Sequence, residues 1–232
     1  MIKHESAPQQ VRQDDRTFQS RWIAANALAE AVGLGGSALV AFAFLVQWEA
    51  TWGVIWSAAA VVLLSTLCEG TAVGIAQWSV LRGRLPTLRP AAWWASTALG
   101  AGVAWTLGMV PSTLMAMGEA NADAAAAPMA EPSTLVVYAL AAGMGLVLGP
   151  VLATPQWWVL RRFVDRAWRW IPANSLAWAV GMVAIFAGVG FAADSDAPIT
   201  VIVPVVIMTL LFAGAAVGAI HGAFLVRMSA SR

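Results

Sequence analysis

All 13 Lys and Arg residues of this chain fall in four short polar segments, and six long apolar stretches separate those segments. The basic segments are the N-terminal tail (Lys3, Arg12, Arg16, Arg21), the 82–92 turn (Arg82, Arg84, Arg89), the 161–169 turn (Arg161, Arg162, Arg166, Arg169) and the C-terminus (Arg227, Arg232). The alternate connections, 48–53, 117–133 and 193–198, carry no basic residue. They hold Glu49, Glu119, Asp123, Glu131, Asp194 and Asp196 instead. Basic residues stay in the cytoplasm during insertion. Both termini and both Arg-rich turns are therefore expected to be cytoplasmic, in a bacterial-type inner membrane.

A helix needs about 20 apolar residues to cross a bilayer. The apolar windows run roughly 22–47, 54–81, 92–116, 134–160, 171–192 and 199–226. Only 11% of the chain is charged, against about 25% for a soluble domain. The pattern predicts an all-α, six-helix integral membrane domain over 21–232, preceded by a polar cytoplasmic tail over 1–20. That tail is expected to be mobile or to lie along the interface. It lacks the basic, apolar and cleavage regions of a secretory signal, so the first span is expected to act as an uncleaved anchor. The Ala-rich acidic 117–133 connection reads as a flexible external loop. The single cysteine, Cys68, excludes an internal disulfide and reads as a small core residue.

An internal repeat is the second strong signal. Gly70-x3-Gly74-x2-Gln77-Trp78-x2-Leu81-Arg82 aligns with Gly149-x3-Ala153-x2-Gln156-Trp157-x2-Leu160-Arg161. The sixth span carries Gly214-x3-Gly218-x2-His221-x3-Leu225. The odd spans share Trp22-x3-Asn26, Trp170-x3-Asn174 and, more loosely, Trp93-x3-Thr97. The unit is an inward helix, an Arg-rich turn and an outward helix. Two copies are intact, and the third is split between spans six and one. Parallel repeats of this kind turn about an axis along the membrane normal, which predicts a pseudo-threefold bundle. The hairpin Gly74-x-x-Gln77-Trp78-x-Val80-Leu81-Arg82 resembles one found in uncharacterised multi-pass bacterial membrane proteins. That resemblance implies the membrane fold and no known activity. The helix count matches mitochondrial carriers, but no odd span ends in their Pro-x-acid-x-x-base signature. Pro155-Gln156 matches the dipeptide of PQ-loop sugar transporters, whose repeats have three helices.

Gly70, Gly74 and Gln77 share one helix face, as do Gly214, Gly218 and His221, with Gly222 extending the small-residue row. Such rows let helices approach closely in lipid. These faces, Gly149 included, are expected to turn inward and to take Gln77, Gln156 and His221 with them. The tryptophans near the basic segments, among them Trp22, Trp93, Trp94, Trp158, Trp168 and Trp170, read as a belt at headgroup level. Trp48, Trp52 and Trp56 mark the opposite boundary. Trp105 and Trp178 read as packing residues. Pro150 and Pro155 predict a bend in span four, whose freed carbonyls must find partners inside protein.

Asn26, Gln77, Thr97, Gln156, Asn174 and His221 are expected at one depth, ~7–8 Å inside the basic boundary at 1.5 Å per residue. They offer either interhelical hydrogen bonds or a polar vestibule. Glu69 lies ~20 Å and Glu30 ~13 Å from that boundary. The repeat aligns Leu148 and Ala213 with Glu69, and Ala101 and Trp178 with Glu30, so neither acid is repeated. An ionised carboxylate there costs at least a few kcal/mol unless paired or hydrated, and no span holds a Lys or Arg. Each Glu is expected to be neutral and hydrogen-bonded, or to open on a hydrated cavity.

His221 has no companion ligand, no phosphate loop or catalytic constellation appears, and neither metal, cofactor nor nucleic acid is expected. The leading expectation is a non-enzymatic membrane component that packs with a protein partner or with itself. The alternative is a small transporter or proton-linked channel using Glu69 and Glu30. A membrane enzyme comes third.

Overall fold

A computed structural model of the chain describes residues 6–119 and 132–229. Most of the 117–133 loop lies outside them, as do Lys3 and Arg232 and the side chains of Arg12, Glu119 and Asp194. Six helices are long and apolar enough to cross a membrane: α1 (Ser6–Ala41), α2 (Val54–Leu81), α3 (Pro90–Glu119), α4 (Thr134–Leu160), α5 (Trp170–Asp194) and α6 (Ile199–Ser229). No strand occurs among the described residues.

Each helix packs on its two ring neighbours, in the order α1–α2–α3–α4–α5–α6 and back to α1, and none crosses the ring. The tightest pairings are α4 with α5, α2 with α3 and α6 with α1. Close approach in these pairs is set by glycine. A Cβ on Gly70 would lie 2.7 Å from the Ala98 Cα, one on Gly149 2.6 Å from the Ser175 Cα, and one on Gly214 2.8 Å from the Ala27 Cα. Ala98, Ser175 and Ala27 each stand five residues after the tryptophan that opens the motif of their helix (Trp93, Trp170, Trp22). Gly74 and Gly218 repeat the pattern one turn on, against the Trp94 and Ile23 backbones, and Gly222 lies against the Trp22 ring. The glycines thus face sideways, into the hairpin partner. The amides one turn further on face the ring interior.

The turns follow from local chemistry. The Trp78 indole N–H donates to the Leu88 carbonyl (3.0 Å) and folds the first basic turn back on α2. In the second, Arg166 takes a left-handed conformation (φ 55°) and Arg161 lies 3.8 Å over the Trp158 ring. On the opposite side α1 ends in a π-helical turn, Phe42–Gln47, followed by a single helical turn, Glu49–Trp52, and Gly53 at φ 76°. α4 runs as one helix through Pro150 and Pro155, with no broken segment. Pro150 has no N–H for the Leu146 carbonyl, and the Ser175 hydroxyl of α5 donates to that carbonyl instead (2.8 Å).

Four expectations change. The glycine faces, expected to turn inward, turn instead into the neighbouring helix of each hairpin. Residues 6–20 are not a separate tail but the first turns of α1. Phe18 there is buried, and Asp15 pairs with Arg84. Cys68 is exposed on the outer face, because it neighbours the inward-facing Glu69 and a helix turns about 100° per residue. Trp22, Trp93 and Trp170 are fully buried and form no part of a headgroup belt. Trp94, Trp158 and Trp168 are exposed, as a belt requires.

Candidate functional site: a polar chamber on the ring axis

The interior is layered. At the basic end Trp22, Trp93 and Trp170 fill the ring, with Leu81, Leu160 and Leu225 buried beside them. The Trp170 ring stands 6.2 Å from that of Trp22 and 6.3 Å from that of Trp93. Each tryptophan carbonyl accepts a bond from the polar residue four positions on: Asn26 to Trp22 (2.8 Å), Thr97 to Trp93 (2.9 Å) and Asn174 to Trp170 (2.8 Å). One turn of helix therefore fixes both the plug and the polar layer above it.

That layer is a hydrogen-bonded chain across the ring. Gln77 Nε2 donates to Asn26 Oδ1 (2.9 Å). Gln156 Nε2 donates to Thr97 Oγ1 (2.9 Å) and to Gln77 Oε1 (3.2 Å), and the Trp170 indole donates to Gln156 Oε1 (3.0 Å). His221 is buried with its ring 4.8 Å from that of Trp170, and neither of its nitrogens has a hydrogen-bond partner among the described residues.

Above the amides lie the two acids. Glu69 accepts from the Trp105 indole (2.7 Å). Glu30 is 2% exposed, and its Oε2 has no hydrogen-bond partner among the described residues. Glycines make room for both. A Cβ on Gly33 of α1 would meet the Glu69 Cα at 2.9 Å, and one on Gly214 of α6 would meet the Glu30 Cβ at 2.9 Å. Both carboxyls face a cavity of about 20 Å³, which is room for about one water molecule.

All six helices line this cavity. Its walls include Glu30, Glu69, Gln77, Thr97, Gln156, Asn174 and His221, while Asn26 joins through its bond to Gln77. Every polar residue singled out in the sequence is thus buried at one site. Ala101 and Trp178 line the same space.

Two supports escaped sequence reasoning. Trp105 looked like packing, but it is the donor to Glu69. Gly33 belongs to no repeat motif, yet it sets the α1–α2 approach. The one available signal was its place in a local Gly33-Leu34-Gly35-Gly36 cluster.

A polar column also continues along α2. Ser57, Val61, Ser65, Glu69, Val73, Gln77 and Leu81 stand four residues apart, and all are buried. The Ser57 and Ser65 hydroxyls have no protein partner. Buried hydroxyls ordinarily find one, in protein or in water. No group of His, Cys, Asp and Glu residues that could hold a metal ion occurs among the described residues. Compared with protein-family models, curated proteins and solved structures, the chain shows no match.

Proposed function

We propose that this multi-pass membrane protein is a small proton-linked transporter or channel whose carboxyl pair, Glu30 and Glu69, binds the moving proton. The observation that carries the reading is the α2 column. Intramembrane acids mark ion and proton pathways by default. Here Glu69 sits on a buried row of α2 that also holds Ser57, Ser65 and Gln77, Glu30 of α1 lines the same cavity, and the row stops at the tryptophan plug. A protonated carboxyl can pass its proton to a water and take another from the next water or from the partner carboxyl. Such a relay needs no metal and no catalytic residue, and none is assigned.

The same reading takes the three hairpins as repeats around the chamber. The recurrent Trp-to-Asn/Thr bonds and the glycine register support it. The absence of basic residues from the alternate connections supports placing the basic end in the cytoplasm of an inner membrane.

The purified chain in sealed vesicles with an imposed membrane potential should acidify or alkalinise the lumen faster than empty vesicles. Glu69→Gln and Glu30→Gln should return the rate to the empty-vesicle level while circular dichroism and melting stay as in wild type. Equal rates for wild type and empty vesicles would defeat the proposal.

A second reading, a membrane component packed against a partner or a second copy, has one observation in its favour. The acid-end half of α3 is exposed on most sides, and an apolar groove of about 1050 Å³ runs between it and α2. A stoichiometric partner recovered from native membrane would favour that reading.

A further inference from the structure

We infer that the basic end carries a binding site for an anionic phospholipid, in the groove between α1 and α2. The site stands apart from the chamber and does not depend on the proton reading. The groove is about 960 Å³, at the upper end of the range for ligand pockets. Its two halves differ in chemistry. The wall beyond the rim is mostly apolar, formed by Ala24, Ala25 and Leu28 of α1 and Ala76 and Val80 of α2, with Ser79 the one polar side chain among them. The rim is cationic, formed by Arg21, Arg82 and Arg84. An alkyl chain lying along the wall would put its headgroup at the rim.

The three guanidinium groups are not equivalent. Arg84 is held by its ion pair with Asp15 and lies 4.0 Å over the Phe18 ring. Arg82 lies 5.1 Å from the Trp78 ring centroid and is exposed. Arg21 is exposed and has no protein partner among the described residues. Asp14 also lines the groove. With Asp15 it leaves the rim with a net charge of +1, since three arginines oppose two aspartates. Arginine forks match phosphate oxygens in geometry as well as charge, and basic pockets between membrane helices take anionic headgroups. A free anion would use the rim alone. The apolar wall beneath the rim commits the site to a lipid from the bilayer.

Native mass spectrometry of the delipidated full-length chain in detergent tests this. The probes are phosphatidylglycerol, phosphatidylcholine and inorganic phosphate, added separately. The expected result is tight adducts with phosphatidylglycerol, at least about tenfold weaker ones with phosphatidylcholine, and none with phosphate at lipid concentrations, given about 1 kcal/mol per basic contact. The double variant Arg21→Gln, Arg82→Gln should lose the phosphatidylglycerol preference at unchanged melting temperature. Arg162→Gln, in the other basic turn, should keep it. Equal binding of the two lipids would overturn the site, as would displacement by millimolar phosphate or an unchanged preference in the double variant. If the double variant misfolds, each single variant should still weaken phosphatidylglycerol binding more than Arg162→Gln does.

Discussion

The two ends of the ring are built differently. At the basic end three tryptophans and three leucines fill the interior, each tryptophan is tied to the next polar layer, and both turns fold back on the core. At the acid end the interior stripe is small and polar. Ser57 and Ser65 are buried without hydrogen-bond partners among the described residues. Both hydrophobic clusters among the described residues lie toward the basic end or at mid-depth. The difference teaches where the chamber is closed: firmly below the amides, loosely above the acids.

The largest expected effect is at the plug. Trp170→Ala should cost about 3–5 kcal/mol, the range for truncating a buried aromatic, because it also strips Gln156 of its indole donor. Trp56→Ala at the acid end, where the ring is 70% exposed, should stay within about 0.5 kcal/mol. Denaturant titration of both in one detergent breaks the comparison if the two losses are equal.

Glycine substitution gives the next contrast. Gly149→Val would drive a Cβ to 2.5 Å from the Asn174 carbonyl oxygen. A loss of at least about 1–3 kcal/mol is expected, the usual cost of overpacking. Gly143→Val should be tolerated. Melting by circular dichroism reads both.

A smaller contrast separates polar groups with partners from polar groups without. Gln156→Leu should lose about 2 kcal/mol, since it removes three interhelical bonds worth about 0.6 kcal/mol each. Ser65→Ala should leave stability unchanged, because its hydroxyl bonds to no protein group. It should nevertheless slow proton flux. A Ser65→Ala protein with wild-type flux would remove Ser65 from the path.

Much of this was legible in the sequence, for reasons specific to lipid. In a bilayer apolar residues do not mark the inside, since lipid is as apolar as a core. The rare small and polar residues mark it. The spans and all eight polar site residues could be read from that rule, and the glycines could be read as helix contacts but not as facing the hairpin partner. Tryptophan could not, because its amphipathic ring suits a headgroup belt and a buried plug equally. The deciding signal for Trp22, Trp93 and Trp170 was present but indirect. Each shares a helix face with the Asn or Thr four residues later, and those face inward. Cys68 was misplaced for the converse reason: a small residue beside an inward Glu must itself turn away. Trp105 was beyond reach, because its role depends on how α3 crosses α2 at Glu69.

The most direct test of a chamber shut at the basic end is cysteine accessibility along α2. Single cysteines at Ser57, Ser65 and Gln77 would be placed in a Cys68→Ala background and treated with a small impermeant thiol reagent from each side. The account predicts labelling at 57 and 65 from the acid side, and none at 77 from the basic side. Labelling at 77 from the basic side, with 57 and 65 silent, would contradict it.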